Sequence, residues 1–279
     1  MNENHFNIDA YFQRIKYGGG TSHTAHTLKS IHHAQLFKIP FENFDIQLGR
    51  AINLNPKAIF EKLIRKKRGG YCFELNGLFL TALRSIGFDA RPLLARVHIT
   101  GTPTGRGHQI ELVTIDGKQW IADVGFGGDT PRTPIPLELN QSTIHNGQKV
   151  RLVEAGHFGI MLQTEKDDEW IDLYSFDLSH VFPGDIDYGN HFTSTHPSSL
   201  FVSARVAALP IKNGAKTLFN HTLKKATAGN ENLMELKDGK AYLSALKTHF
   251  GIELDAPYEK LRPLPDDQKP WNASNQGMV

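Results

Sequence analysis

The sequence predicts an α+β protein, and three observations carry that prediction. Apolar residues recur at helical spacing up to about residue 88, short alternating segments divided by turn residues take over from Asp89, and the last third mixes the two patterns. In the first third, IDAYFQRI (8–15) is a short amphipathic helix. Thr21 or Ser22 is placed to cap a second helix through HTLKSIHHAQLF, which Pro40 stops. Pro56 suits the first turn of a third helix, PKAIFEKLIRKK, ended by Gly69-Gly70. A fourth helix begins at or near Cys72, with Leu75, Leu78, Phe79, Ala82, Leu83 and Ile86 as its apolar stripe and Gly87 as its stop.

The strand segments are RPLLARVHI, HQIELVTI, KQWIADVGF, KVRLVEA, FGIMLQT and EWIDLYSF, as in an antiparallel sheet or small barrel. A polar linker, DIDYGNHFTSTHPSS, then leads to FVSARVAALP, a hairpin over LFNHTLKKATAGNENLMEL and a helix KAYLSALKTHFG. The proline-rich tail after Asp255 is expected to lie over the surface.

Composition narrows the function classes. A hydrophobic content of 39%, a charged content of 22% and a formal charge of +2 describe an ordinary soluble protein with a sizeable core. Basic residues are not concentrated enough for a nucleic-acid or membrane-surface partner, and no apolar run approaches the roughly 18 residues that span a bilayer. MNENHFNIDAYFQRI lacks the basic-then-apolar layout of a signal peptide, and one cysteine makes no internal disulfide, so the cytoplasm is expected. His23, His26, His32 and His33 lack the neighbouring ligands of a tetrahedral site, so no metal is expected.

That single cysteine lies in RGGYCFELNG (68–77), at a helix start after a glycine pair. Helix N–H groups favour a thiolate there and can serve a developing oxyanion, while glycines allow close backbone approach or positive φ. The alternative is a small buried apolar residue. A basic partner decides between them. HQIELVTIDGKQWIADVGF (108–126) reads as a hairpin turning at Asp116-Gly117, which sets Asp123 opposite Ile110 and makes His108 its diagonal neighbour on one face. A carboxylate on that apolar face needs a hydrogen bond, and the His108 ring can supply it while being held in one tautomer. Cys72, His108 and Asp123 thus follow the logic of nucleophile, base and orienting acid, although a core histidine beside a strand-end aspartate fits the same pattern.

No GxxxxGK[ST] loop and no GxGxxG follows a strand. The candidate cofactor segments are GTPTGRG (101–107), with Thr104 and Arg106, and GFGGDT (125–130), both of which also read as plain turns. Phe41, Phe126 and Phe201 are candidates for an aromatic acceptor pocket.

RGGYCFELNGLF, IPFENFDI, GHQIELV, WIADVGFGG and NHFTSTHPSSLF, in this order and spacing, resemble the motifs of the arylamine N-acetyltransferases. The resemblance implies a helical bundle over 1–88, a central antiparallel β-barrel over 89–195, and an interdomain helix with a C-terminal α/β lid over 196–279. It implies a Cys-His-Asp triad at Cys72, His108 and Asp123, and an ion pair of Glu42 with Arg68 bracing the loop before the nucleophile. It further implies a cleft lined by Gly125, Phe126, Gly127, Gly128 and Thr130, acetyl-CoA as donor and an arylamine or hydrazine as acceptor, by double displacement through acetyl-Cys72. The resting Cys72 and His108 are expected as a thiolate–imidazolium pair. An amide synthase or other acyl-CoA or acyl-carrier transferase on the same fold remains open, as does a papain- or transglutaminase-like hydrolase. Monomer and homodimer are equally compatible with the sequence.

Overall fold

The structure is a computed structural model that describes residues 6–99, 101–227 and 229–264. Five helices build the first part: α1 (Ile8–Ile15), α2 (Ala25–Leu36), α3 (Phe44–Gln47), α4 (Pro56–Phe60) and α5 (Cys72–Ile86), with a two-residue strand β1 (Phe41–Glu42) between α2 and α3. The cap of α2 is Thr24, whose hydroxyl accepts from Thr27 N–H at 3.2 Å, rather than the expected Thr21 or Ser22. α4 widens into a π-helical turn over Glu61–Arg65 and ends where Lys67 turns left-handed at φ 55°, before the glycine pair expected to stop it. Gly87, at φ 105°, closes α5 as expected.

The central part is β2 (Asp89–Val97), β3 (His108–Ile115), β4 (Lys118–Ala122), β5 (Ile135–Pro136), β6 (Ser142–His145), β7 (Gln148–Glu154), β8 (Ile160–Lys166) and β9 (Glu169–Phe176). They form one antiparallel sheet in the order β5-β4-β3-β2-β9-β8-β7-β6. The chain after β5 brings the ends together: Leu137 N–H donates to Gln119, Leu139 pairs with Leu152, and Asn140 N–H donates to Leu152 at 2.7 Å. The sheet thereby curls into a nearly closed barrel. Strand parity sorts its side chains. Ile110, Leu112, Ile121, Leu162, Tyr174 and Phe176 fill the interior, whereas Val113 and Ala122 face the bundle.

The expected polar linker is instead largely a helix, α6 (Pro183–Thr195). Pro183 occupies its first turn and Asp185 accepts from Phe182 N–H at 2.8 Å, start signals that its weak apolar pattern hid. A short α7 (Leu200–Ser203) follows, then β10 (Val206–Ile211), β11 (Gly214–Phe219), β12 (Thr222–Thr227), β13 (Asn230–Glu235) and α8 (Lys240–Phe250). β1 completes this second sheet by pairing Phe41 with Ala208 and Glu42 with Ala207. Leu218, Leu223, Tyr242, Leu246 and Phe250 pack α8 on one face, while Ala208 faces the bundle. The tail is docked as far as it is described: Leu261 is buried and Arg262 N–H donates to Gln47 at 2.8 Å. Residues 265–279 of the expected surface tail lie outside the described residues.

Candidate active site

Cys72 is the first residue of α5, and the turn before it is built by close approach. A Cβ on Gly69 would lie 2.2 Å from the Pro40 carbonyl oxygen, and one on Gly70 would lie 2.8 Å from Glu74 Cβ. Neither glycine has positive φ, so the pair serves space rather than left-handed backbone. Gly70 also bonds both ways with the segment of β1, accepting from Glu42 N–H at 2.9 Å and donating to Pro40 at 3.3 Å.

A buried charge network underlies this turn. Arg68 Nε and Nη2 both reach Glu42 Oε1, at 2.9 and 2.7 Å, and Glu42 Oε2 accepts from Phe44 N–H at 2.8 Å. Lys62 Nζ lies 2.7 Å from Asp45 and 2.8 Å from Glu74, whose other oxygen accepts from Tyr71 N–H at 3.2 Å. Burial disfavours the Lys62 charge, but Glu74, Glu42 and Asp45 outweigh it and hold the ammonium up. With Glu42 wholly buried, removing its charge leaves Arg68 only the longer contact to Asp45, at 3.4 Å. Glu42→Gln is therefore expected to cost about 3 kcal/mol, read as a lower denaturation midpoint; an unchanged midpoint would show that the pair braces nothing.

His108 opens β3 on the interior face of the barrel. The hairpin turns at Asp116-Gly117 with Ile115 opposite Lys118, as read from the sequence. The ladder stops at Glu111–Ala122, so Asp123 leaves the strand just where its carboxylate meets the ring. His108 Nε2 lies 2.8 Å from Asp123 Oδ2. Asp123 Oδ1 accepts from Gly125 N–H at 2.8 Å and from Asn76 Nδ2 at 3.0 Å. Burial pushes the Asp123 carboxyl up, yet His108 and these hydrogen bonds bring it below its ordinary value. An ionised Asp123 only accepts, so Nε2 carries the proton and Nδ1 is left to take one. The rings of Phe126 and Tyr174 hold the imidazole at centroid distances of 4.9 and 5.1 Å.

The sulfur packs against the segment that carries His108. Its Sγ–H reaches the Gly107 carbonyl at 3.7 Å. Burial pushes the thiol up, the N–H groups of Gln109 and Phe73 oppose that, and the charges of Asp123 and Glu74 add to it. A lone thiolate is thus disfavoured, and the expected thiolate–imidazolium pair requires transfer of the proton to His108 to offset the lost hydration.

Cys72 and His108 line a largely apolar cavity of about 660 Å³. Of the sequence candidates, Phe41, Thr104, Arg106, Gly125, Phe126, Gly127 and Phe201 also line it. Gly125 packs onto the nucleophile, since a Cβ there would meet Cys72 Cα at 3.1 Å and Asn76 Nδ2 at 3.0 Å. Two candidates do not reach the cavity. Thr130 is buried as a loop tie, its hydroxyl accepting from Phe126 N–H and donating to Gly127, both at 2.8 Å. Gly128 faces a separate polar cleft of about 280 Å³, its carbonyl bound by Arg132 at 2.7 Å. The Arg106 guanidinium is paired with Asp177, so a phosphate would have to displace that carboxylate.

Sequence reasoning missed four contributors. Asn76, one turn after Cys72 on a buried helix face, was detectable as a lone amide in an apolar stripe. His32 bonds the Asp123 backbone, and Tyr188 and Phe192 of α6 line the cavity; their spacing alone gave no sign of either role.

A family model described as N-acetyltransferase matches residues 24–258. The chain is similar to the arylamine N-acetyltransferase / N-hydroxyarylamine O-acetyltransferase of Salmonella typhimurium, at 38% identity over 252 residues and 88% of each chain. The solved arylamine N-acetyltransferase from Salmonella typhimurium matches with a TM-score of 0.85 at 34% identity, covering 89% of this chain and 92% of that one. Mycobacterium marinum arylamine N-acetyltransferase in complex with CoA gives a TM-score of 0.84 at 33% identity, covering 88% and 93%. Fold and sequence together define an acyltransferase. The chain belongs to the arylamine N-acetyltransferase family.

Proposed function

We propose that this chain transfers an acetyl group from acetyl-CoA to an arylamine or arylhydrazine through acetyl-Cys72. The observation that carries this reading is the sulfur at the floor of an apolar cavity, against the segment that bears a ring fixed by a buried acid. In the first half, the thiol proton passes to His108 Nδ1 as Sγ attacks the thioester carbonyl. The carbon–sulfur bond to CoA breaks, and the leaving thiolate takes the proton from His108. In the second half, the amine nitrogen attacks acetyl-Cys72, His108 accepts the amine proton, and that proton returns to Sγ as it leaves. Backbone N–H groups at the start of α5 and on the neighbouring strand or loop stabilise the oxyanion of each tetrahedral intermediate. The acid at Asp123 keeps the ring in the required tautomer throughout.

The two substrates use the same space in turn. Phe41, Phe126 and Phe201 line the cavity and form the wall for a planar acceptor, joined by Tyr188 and Phe192. Thr104, Gly125 and Gly127 line the same cavity, and in this reading they serve the donor's pantetheine arm. We place the bundle over 6–88 and the barrel over β2 to β9, with α6 crossing into the lid.

Initial rates measured over a grid of acetyl-CoA and a methoxyaniline test the scheme. Double displacement gives parallel double-reciprocal lines. Lines that converge, or turnover confined to other acyl thioesters, would contradict it.

A further inference from the structure

The hydrogen bonds of the Asp123–Val124 peptide come from outside the barrel. β4 ends at Ala122, so the ladder supplies no partner for this unit. Its carbonyl oxygen accepts instead from His32 Nε2 of α2 at 2.7 Å, and its N–H donates to Asn76 Oδ1 of α5 at 3.0 Å. The two polar edges of one peptide plane are thus held by two side chains of the helical bundle. Asn76 also touches the carboxylate. His32 touches only the backbone.

We propose that His32 is a positioning residue for the acid beside His108: by holding the Asp123 carbonyl it fixes the peptide plane from which the carboxylate projects. This rests on the reading of Asp123 as the orienting acid of the reaction.

The surroundings of His32 suit that task. The residue is fully buried, and its ring stands edge-on to Phe79 of α5, with centroids 5.8 Å apart. Asp123, His33 and His145 are the charged or titratable groups that act on it. Burial brings its pKa down to about 4, despite the bond to Asp123, so the ring is neutral at physiological pH. A neutral imidazole has one N–H, and the carbonyl contact requires it on Nε2. Nδ1 is buried with no hydrogen-bond partner. A nitrogen left orphaned this way costs stability that a leucine would not incur. Loss of His32 should therefore act on the geometry of Asp123 more than on the packing of the bundle.

The test compares His32→Leu, which removes the donor, with His32→Gln, which keeps an N–H of similar reach. Two readouts are taken per folded molecule: acetyl transfer, and the pH dependence of Cys72 alkylation by iodoacetamide. Because an ångström of misplacement in such a site can cost on the order of a hundredfold, His32→Leu is expected to lose about tenfold or more in kcat/KM for both half-reactions. Its alkylation midpoint should move to higher pH as His108 loses its aim, and His32→Gln should recover most of both. Wild-type turnover per folded molecule in His32→Leu, or an unshifted alkylation midpoint, overturns the assignment.

Should His32→Leu not fold, 15N-histidine spectra of the wild-type enzyme give an independent reading. His32 should remain a neutral Nε2–H tautomer with a slowly exchanging ring proton from about pH 5 to 9. Titration in that range overturns the proposal. Alkylation and spectra need no acetyl-CoA, so failure of the acetyl-transfer reading would show separately, as absent turnover in the wild type.

Discussion

Cys72→Ala is expected to abolish acetyl transfer while leaving a folded protein. Loss of the nucleophile from a three-residue catalytic unit costs on the order of 10⁶-fold in turnover, because the remaining groups act only through it. The fold should survive. The side chain is small and buried among Tyr71, Phe73, Leu75 and Gly125, and its removal deletes one sulfur from a large core. The stability cost is about 1 kcal/mol, far too little to empty the native state. Cys72→Ser should be nearly as inactive despite keeping a nucleophile in place, because a buried hydroxyl gives up its proton even less readily than a thiol. Residual turnover near the wild-type rate in either variant would place the chemistry elsewhere.

Asp123→Asn is expected to lower turnover by about 10³ to 10⁴-fold through the wrong tautomer. The wild-type carboxylate takes three donors, from His108, Asn76 and Gly125. An asparagine oxygen can keep Asn76 and Gly125, but its NH₂ then points at His108 Nε2. That nitrogen must become an acceptor, its proton moves to Nδ1, and the nitrogen that should receive the thiol proton is blocked. Stability also changes, with a definite dependence on pH. A carboxyl held below its ordinary value contributes stability in full above its unfolded pKa, near 4, and loses it as pH falls through the lower folded value. The wild type should therefore exceed the asparagine variant at neutral pH, and the gap should close in acid. A gap that widened in acid would mean that Asp123 is not ionised in the folded state.

The parts legible in the sequence are those governed by local rules. The Asp-Gly turn fixed the β3–β4 register as far as Glu111–Ala122, which brings the start of β3 close to Asp123, just past the end of β4. The start of α5 followed from apolar spacing, and its stop from Gly87. The features that escaped depend on distant partners. β1 and β5 have two residues each, too few to carry an alternating pattern, and β1 is extended because β10 and Gly70 lie beside it. The pairing of Arg106 with Asp177, 71 residues away, could not be seen in the candidate cofactor segment. Thr130 and Gly128 read as cleft residues because the loop folds them away from it. His32 and Asn76 acquire their meaning only when two helices meet a peptide at a strand end.

Amide synthases and cysteine hydrolases could share the same three side chains, so the fate of the acyl group on sulfur separates the chemistries. The most direct measurement is the intact mass of the enzyme after mixing with acetyl-CoA alone, followed by peptide mapping. One added acetyl group on the peptide containing Cys72, absent from Cys72→Ala, discharged promptly by an arylamine and slowly by water, is the result expected. An unmodified cysteine in an enzyme that still acetylates amines would contradict the account at its centre.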